Sequence, residues 1–290
     1  MKPNRNFYFD KKTCANELIF CDLDRFPHLY SPKDYSMSIL NEILIFLAAV
    51  AAGFINAMAG GGTLVSFPVL LAVGISPVVA NVTNTVALVP GTIGGMWAQR
   101  KDFVSQRARL LKLLPVSIIG GIAGGLLILN TSEDAFKSLI PYLILMATLL
   151  LAAQVKIKNW VVSRIGHAHT EHHNPAIMMG IVFMTAVYGG YFGAGMGVIL
   201  MAVLGLVTDE NMTRLNFLKQ ALGFVINLAA AIYFTFSGKV DWMVAFIMIF
   251  GSLIGGWVGG KLAGKMKPEI LRWIVVTAGL IATVAFFVKG

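Results

Sequence analysis

Asn56-Ala57-Met58-Ala59-Gly60-Gly61-Gly62-Thr63 is the stretch whose reading decides the fold. It interrupts an apolar run that extends from Ile39 to Val73. Three consecutive glycines have no side chains to pack and lose the most freedom on ordering, so a continuous helix is not expected across them. Within hydrocarbon, broken backbone is tolerated only where protein or a water-filled cavity covers it. Such a break is a place where a small solute can meet bare N–H groups and helix ends. The alternative is close helix packing through small residues. A second copy of the break favours the site.

Working outward, residues 39–57 read as a helix that leads into the break, and residues 64–73 as a half-length segment that leaves it. Helices over residues 77–98, 110–129 and 136–155 follow, then a polar linker over 156–175. The pattern then recurs. Residues 176–192 lead into Gly193-Ala194-Gly195-Met196-Gly197, residues 198–207 are again half-length, and helices over 212–236, 242–262 and 270–288 complete the chain. Gly120-Gly121-Ile122-Ala123-Gly124-Gly125 matches Gly255-Gly256-Trp257-Val258-Gly259-Gly260 at an offset of 255 − 120 = 135. Gly60 and Gly193 match at 193 − 60 = 133. Two landmarks at nearly one offset indicate an internal duplication. The GGxxGG motifs themselves read as packing faces.

Composition agrees with a membrane setting. The chain of 290 residues is 57% hydrophobic and 13% charged, against roughly 25% charged in soluble domains. Several runs approach the roughly 20 apolar residues that cross a bilayer. The net charge of +9 sits in short loops between apolar runs, the positive-inside pattern, so no nucleic-acid partner is implied. Trp97, Trp160, Trp242 and Trp273 fall near expected helix ends, as interfacial aromatics do.

Loop charge also orients the halves. In the first, the 98–110 loop is basic and the 129–136 loop carries Glu133 and Asp134 against Lys137. In the second this reverses: the 236–242 loop holds Lys239 and Asp241, and the 262–270 loop holds Lys265 and Lys267 against Glu269, with Lys261 just before it. Basic loops stay cytoplasmic. The expected fold class is therefore an all-α polytopic membrane protein of two inverted-topology repeats, each a glycine-broken helix pair plus three transmembrane helices. The divisions are a polar tail at 1–38, a first repeat at 39–155, a cytoplasmic linker at 156–175 and a second repeat at 176–290, with both termini outside. The tail lacks the apolar core of a signal peptide. Cys14 and Cys21 lie in it. They can pair in an oxidising compartment or stand as free thiols.

Inverted repeats with paired broken segments are the signature of a secondary transporter whose site lies between the repeats. Asp and Glu residues are confined to the tail, the loops and the helix ends, and His28, His167, His169, His172 and His173 lie outside the expected spans. No metal site, cofactor or intramembrane catalytic arrangement is expected. Lys219 is the deepest basic residue, about 10 Å into its helix. A buried ammonium without a carboxylate needs a partner, and a small anionic substrate supplies one. Helices opening at Thr63 and Gly197 present N–H groups at a positive end. The expected binding set is Asn56, Gly60, Gly61, Gly62, Thr63, Thr83 and Asn84 from the first half. Gly193, Gly195, Gly197, Asn216, Lys219 and Gln220 come from the second. Thr83 pairs with Asn216 at 216 − 83 = 133. The competing readings are snorkelling for Lys219 and interhelical hydrogen bonding for the Asn and Thr residues.

Ala52-Gly53-Phe54-Ile55-Asn56-Ala57-Met58-Ala59-Gly60-Gly61-Gly62, Val69-Leu70-Leu71, Gly74-Ile75-Ser76-Pro77 and Ala80-Asn81-Val82-Thr83-Asn84 together resemble the first repeat of the sulfite exporter TauE/SafE family. Tyr188-Gly189-Gly190-Tyr191-Phe192-Gly193-Ala194-Gly195-Met196-Gly197 resembles its second signature. The resemblance runs from Ser38 to the C-terminus and leaves the tail outside. It implies export of sulfite, sulfoacetate or another organosulfonate across the cytoplasmic membrane. The family's second repeat often carries Thr-Ser where this chain has Asn216-Phe217. An anion channel lined by the same residues, or a transporter of another small anion, is the alternative.

Overall fold

The computed structural model describes residues 38–58, 60–98, 103–164, 175–207, 212–262 and 268–289. The chain divides into units Met1–Ser36 and Met37–Gly290, and the first, with Cys14, Cys21 and His28, lies outside the described residues. The linker histidines His167, His169, His172 and His173 lie outside them too. The described residues of the second unit form ten helices: α1 (Ile39–Met58), α2 (Thr63–Ala72), α3 (Pro77–Ala98), α4 (Phe103–Asn130), α5 (Glu133–Arg164), α6 (Pro175–Tyr191), α7 (Met196–Val207), α8 (Met212–Thr235), α9 (Trp242–Leu262) and α10 (Pro268–Lys289). No strand occurs among the described residues.

Six of these helices are long and apolar enough to cross a membrane: α1, α4, α5, α8, α9 and α10. Leu47, Ile119, Leu149, Phe250 and Ile281 are more than half exposed on them, a surface that suits lipid rather than water. α3 has a span's length, 22 residues, but is too polar to qualify by composition. Its Asn81, Thr83 and Asn84 are buried, so lipid does not meet them. α4 and α5 run past the expected 110–129 and 136–155. Arg, Lys and Gln are good helix formers, and no glycine or proline stops either helix where the charges begin. The 32 residues of α5 span about 48 Å, well beyond the roughly 30 Å of bilayer hydrocarbon.

The packing of the two halves is reciprocal. α1 lies on α9 as α6 lies on α4, α3 meets α9 as α8 meets α4, and α2 meets α10 as α7 meets α5. Individual contacts repeat as well. A Cβ added at Gly120 would stand 2.9 Å from the Phe183 carbonyl oxygen, and one at Gly255 would overlap that of Val50. One at Gly124 would overlap the Val187 oxygen, and one at Gly259 would stand 2.8 Å from that of Phe54. The glycines are 135 apart (255 − 120; 259 − 124) and their partners 133 apart (183 − 50; 187 − 54). The GGxxGG motifs let backbones touch at these seams.

Turns from both halves meet at one face. Glu133 accepts from the Ser76 hydroxyl (3.2 Å) and the Val78 N–H (3.0 Å), which ties the start of α3 to the start of α5. Lys239 Nζ donates to the Leu129 carbonyl at 3.1 Å, and the Asp241 N–H donates to Thr83 Oγ1 at 3.0 Å. The α2–α3, α4–α5 and α8–α9 turns therefore lie side by side.

Candidate functional site

Both glycine breaks are real interruptions of helix. Gly60 and Gly61 have φ of 77° and 96°, and Gly193 and Gly195 both 76°, a region that glycine enters without a Cβ penalty. The Gly60 N–H donates to the Ile55 carbonyl at 3.0 Å and the Gly193 N–H to that of Tyr188 at 3.2 Å. Each reaches five residues back, which closes the C-termini of α1 and α6 in the Schellman manner. α2 then folds back on α1, because a Cβ at Gly62 would overlap the Ala52 carbonyl.

The breaks leave donors rather than acceptors. The carbonyls of Gly61, Gly62, Gly193 and Gly195 accept from the first turns of α2 and α7, and the Ala194 carbonyl accepts from the Tyr188 hydroxyl. No acceptor among the described residues takes the N–H of Gly61, Gly195 or Gly197. Asn56 Oδ1 accepts the Gly62 N–H at 2.7 Å. That bond holds the side chain by its oxygen, and its amide NH2 is left to donate.

A cavity of about 100 Å³ lies between the breaks. Asn56, Met58, Gly60, Gly61, Thr63, Thr85, Leu88 and Thr92 line it from the first half. Phe192, Gly193, Gly195, Met196, Gly197, Lys219, Gln220, Gly223, Phe224 and Asn227 line it from the second. Among the described residues, Lys219 is the charged residue of this lining and no carboxylate shares it. Its stem runs past Gly197, where a Cβ would stand 3.7 Å from Lys219 Cδ. A larger hollow of about 430 Å³ lies along α5, lined by apolar side chains such as Leu145, Leu149 and Leu150 together with Tyr142. It offers an ion almost nothing to bind.

Nine of the thirteen expected residues thus come together: Asn56, Gly60, Gly61, Thr63, Gly193, Gly195, Gly197, Lys219 and Gln220. Four do not line the cavity. Gly62 is buried against α1. Thr83 accepts from Asp241 at the turn face. Asn84 Oδ1 accepts the Ser66 hydroxyl between α2 and α3. Asn216 is not in the lining either. The pairing of Thr83 with Asn216 is a register error with a physical cause. α7 has 12 residues and α2 has 10, so the offset of 196 − 63 = 133 at these helices becomes 212 − 77 = 135 at α3 and α8. At 135 the cavity pairs are Thr85 with Gln220, Leu88 with Gly223 and Thr92 with Asn227. Thr92 and Asn227 were missed at the sequence level, whereas Thr85 stands beside Thr83 and Asn84 among the polar groups of its helix. The available signal was helical spacing, since Gln220, Gly223 and Asn227 recur at three and seven residues along one face.

The chain matches the family model described as "Sulfite exporter TauE/SafE" over residues 45–286. It is 28% identical over 213 residues to a "Probable membrane transporter protein" of Haemophilus influenzae, covering 72% of this chain and 80% of that one. It is 26% identical over 216 residues to "Probable membrane transporter protein YfcA" of Escherichia coli K12, covering 72% and 76%. A Sinorhizobium relative, "Probable membrane transporter protein ORF9", is 28% identical over 213 residues, covering 72% and 77%. No solved structure matches the chain.

Proposed function

This chain belongs to the sulfite exporter TauE/SafE family and is a multi-pass membrane transporter, and we propose that its cargo is a small sulfur oxyanion, sulfite or an organosulfonate, exported by alternating access. The observation that carries this reading is the lining of the cavity between the breaks. Among the described residues it holds one ammonium, Lys219, the N–H groups of Gly61, Gly195 and Gly197 that no protein acceptor takes, and no carboxylate. Donors converging on a small buried space stabilise an oxyanion, and charge-assisted hydrogen bonds are roughly twice as strong as neutral ones.

In this reading Lys219 supplies the charge, and the N–H groups of Gly195 and Gly197 bind the anion from the second half. Gly61, Thr63 and the Asn56 amide bind it from the first, and Gln220 orients it. The halves are inverted copies that rock about the breaks. The reciprocal seams support this, as does the α8–α9 turn lying beside the α4–α5 turn rather than at the opposite end of α4. A potential negative inside drives a monoanion outward by about 2.3 kcal/mol per 100 mV, so export needs no proton relay in the protein.

The test is sulfite flux in proteoliposomes carrying the Lys219→Ala and Lys219→Arg proteins. Flux should fall at least about tenfold in Lys219→Ala, the loss of one charge-assisted bond, and return in part in Lys219→Arg. Unchanged flux in Lys219→Ala would remove Lys219 from the site.

A further inference from the structure

Phe192 has a place in the cavity lining and in a cluster of rings as well. Its ring lies 5.4 Å from that of Phe67 at 86° and 6.4 Å from that of Phe136 at 64°. Phe136 in turn lies 6.3 Å from Phe67 and 5.8 Å from Tyr191, again edge to face. Phe67, Phe136 and Phe192 are all at least 98% buried.

The cluster has a definite level in the molecule. Phe136 is one turn below Glu133, which bonds the α2–α3 turn at the shared turn face. Further down α5, Ala147 and Leu151 touch the glycine breaks, at Gly195 and Gly61 respectively. Eleven residues of helix separate Phe136 from Ala147 (147 − 136), about 16 Å. The rings therefore stand between the cavity and the face that carries the α4–α5 and α8–α9 turns. Asn81 lies at this level too, donating through Nδ2 to the Tyr191 carbonyl at 2.9 Å.

The cluster also joins the halves, since Phe67 and Phe136 belong to the first and Tyr191 and Phe192 to the second. The repeat-related positions are not aromatic. They are Leu200 (67 + 133), Leu271 (136 + 135), Met58 (191 − 133) and Ala59 (192 − 133). At these positions the duplicated sequence carries aliphatic and small residues where this cluster has rings.

We propose that Phe192, Phe67, Phe136 and Tyr191 form the gate that closes the cavity towards the α4–α5 face, with Phe192 as the ring that both contacts the cargo and completes the seal. This rests on the transporter reading above. For the cavity to open on that face the rings must separate, because they are held by both halves. The duplication supplies no second copy of these four rings, so the seal they make belongs to this side. Phe192 is a gating residue that acts through its packing rather than through charge.

The experiment is thiol accessibility in cells and in inverted vesicles, with no anion needed. The Cys14→Ser, Cys21→Ser protein receives Thr85→Cys as a reporter inside the cavity, and separately Thr131→Cys, which reports the side on which the α4–α5 turn lies. A membrane-impermeant maleimide is added from the side that labels Thr131→Cys. Thr85→Cys should be protected while the rings are intact. It should react about tenfold faster with Phe192→Ala or Phe136→Ala, the factor that loss of an edge-to-face contact allows. Phe192→Leu and Phe136→Leu, which keep an apolar fill and preserve folding, should give intermediate rates. Rapid labelling with all rings present, or unchanged rates in the well-folded leucine variants, overturns the gate. Because no anion enters the assay, a wrong cargo assignment leaves this result untouched, and a failed gate leaves the flux test of Lys219 untouched.

Discussion

Replacing Gly124 by alanine tests the seams on which the reciprocal packing depends. The new Cβ would overlap the Val187 carbonyl oxygen and stand 2.7 Å from the Tyr191 nitrogen and 2.9 Å from the Gly190 carbon. Real Cβ atoms essentially never come within 3.0 Å of such neighbours. All three are backbone atoms, so no side-chain rotation relieves the clash, and α4 and α6 must part by more than half an ångström. A gap of 0.5–1 Å forfeits a quarter to a half of each atom pair's attraction of about 0.1–0.2 kcal/mol. Over the tens of contacts along a helix seam this comes to about 1–3 kcal/mol, the usual range for overpacking. Gly180 is the control, because nothing lies within 4 Å of an added Cβ there, and alanine in a helix gains up to about 1 kcal/mol over glycine. Gly259→Ala should fall between, with its closest contact at 2.8 Å. The readout is the thermal midpoint of the purified protein in detergent. At about 2–4 °C per kcal/mol, Gly124→Ala should lie at least ~4 °C below Gly180→Ala. A Gly124→Ala midpoint equal to or above that of Gly180→Ala would refute the backbone-contact argument.

Asn56 separates support of the break from recognition of charge. Asn56→Asp keeps an oxygen for the Gly62 N–H but places a negative charge in the cavity, so the midpoint should hold while sulfite flux drops about tenfold or more. Asn56→Ala should lose about 1 kcal/mol of stability with the bond to the Gly62 N–H, and an active Asn56→Asp protein would argue against an anion there. Tyr188→Phe removes the hydroxyl that satisfies the Ala194 carbonyl. A buried acceptor left bare costs about 1–3 kcal/mol, so the midpoint should fall, and faster hydrogen exchange at residues 193–197 should accompany it. Ser252→Ala frees the Ala87 carbonyl from a 2.8 Å bond between α9 and α3. A loss of about 1 kcal/mol in the same thermal assay is expected.

The features read correctly from sequence alone are those with local causes. Hydropathy runs set the helices of the second unit, and the two glycine clusters marked where helices must stop, because glycine's freedom and hydrocarbon's intolerance of open backbone act residue by residue. Lys219 stood out for the same reason, as a charge within an apolar run. What the sequence could not decide was which polar groups turn towards the cavity. Thr83 and Asn84 look as suitable as Thr85, yet Asp241 and Ser66, 158 and 18 residues away along the chain, engage them. The two extra residues of α7 shift the register of α8 against α3, so Thr85, Thr92 and Asn227 line the space instead. Local chemistry and hydropathy say where a chain is helical and where it breaks. The direction in which each helix faces is settled only when distant partners satisfy its hydrogen bonds, and that requires the packed halves.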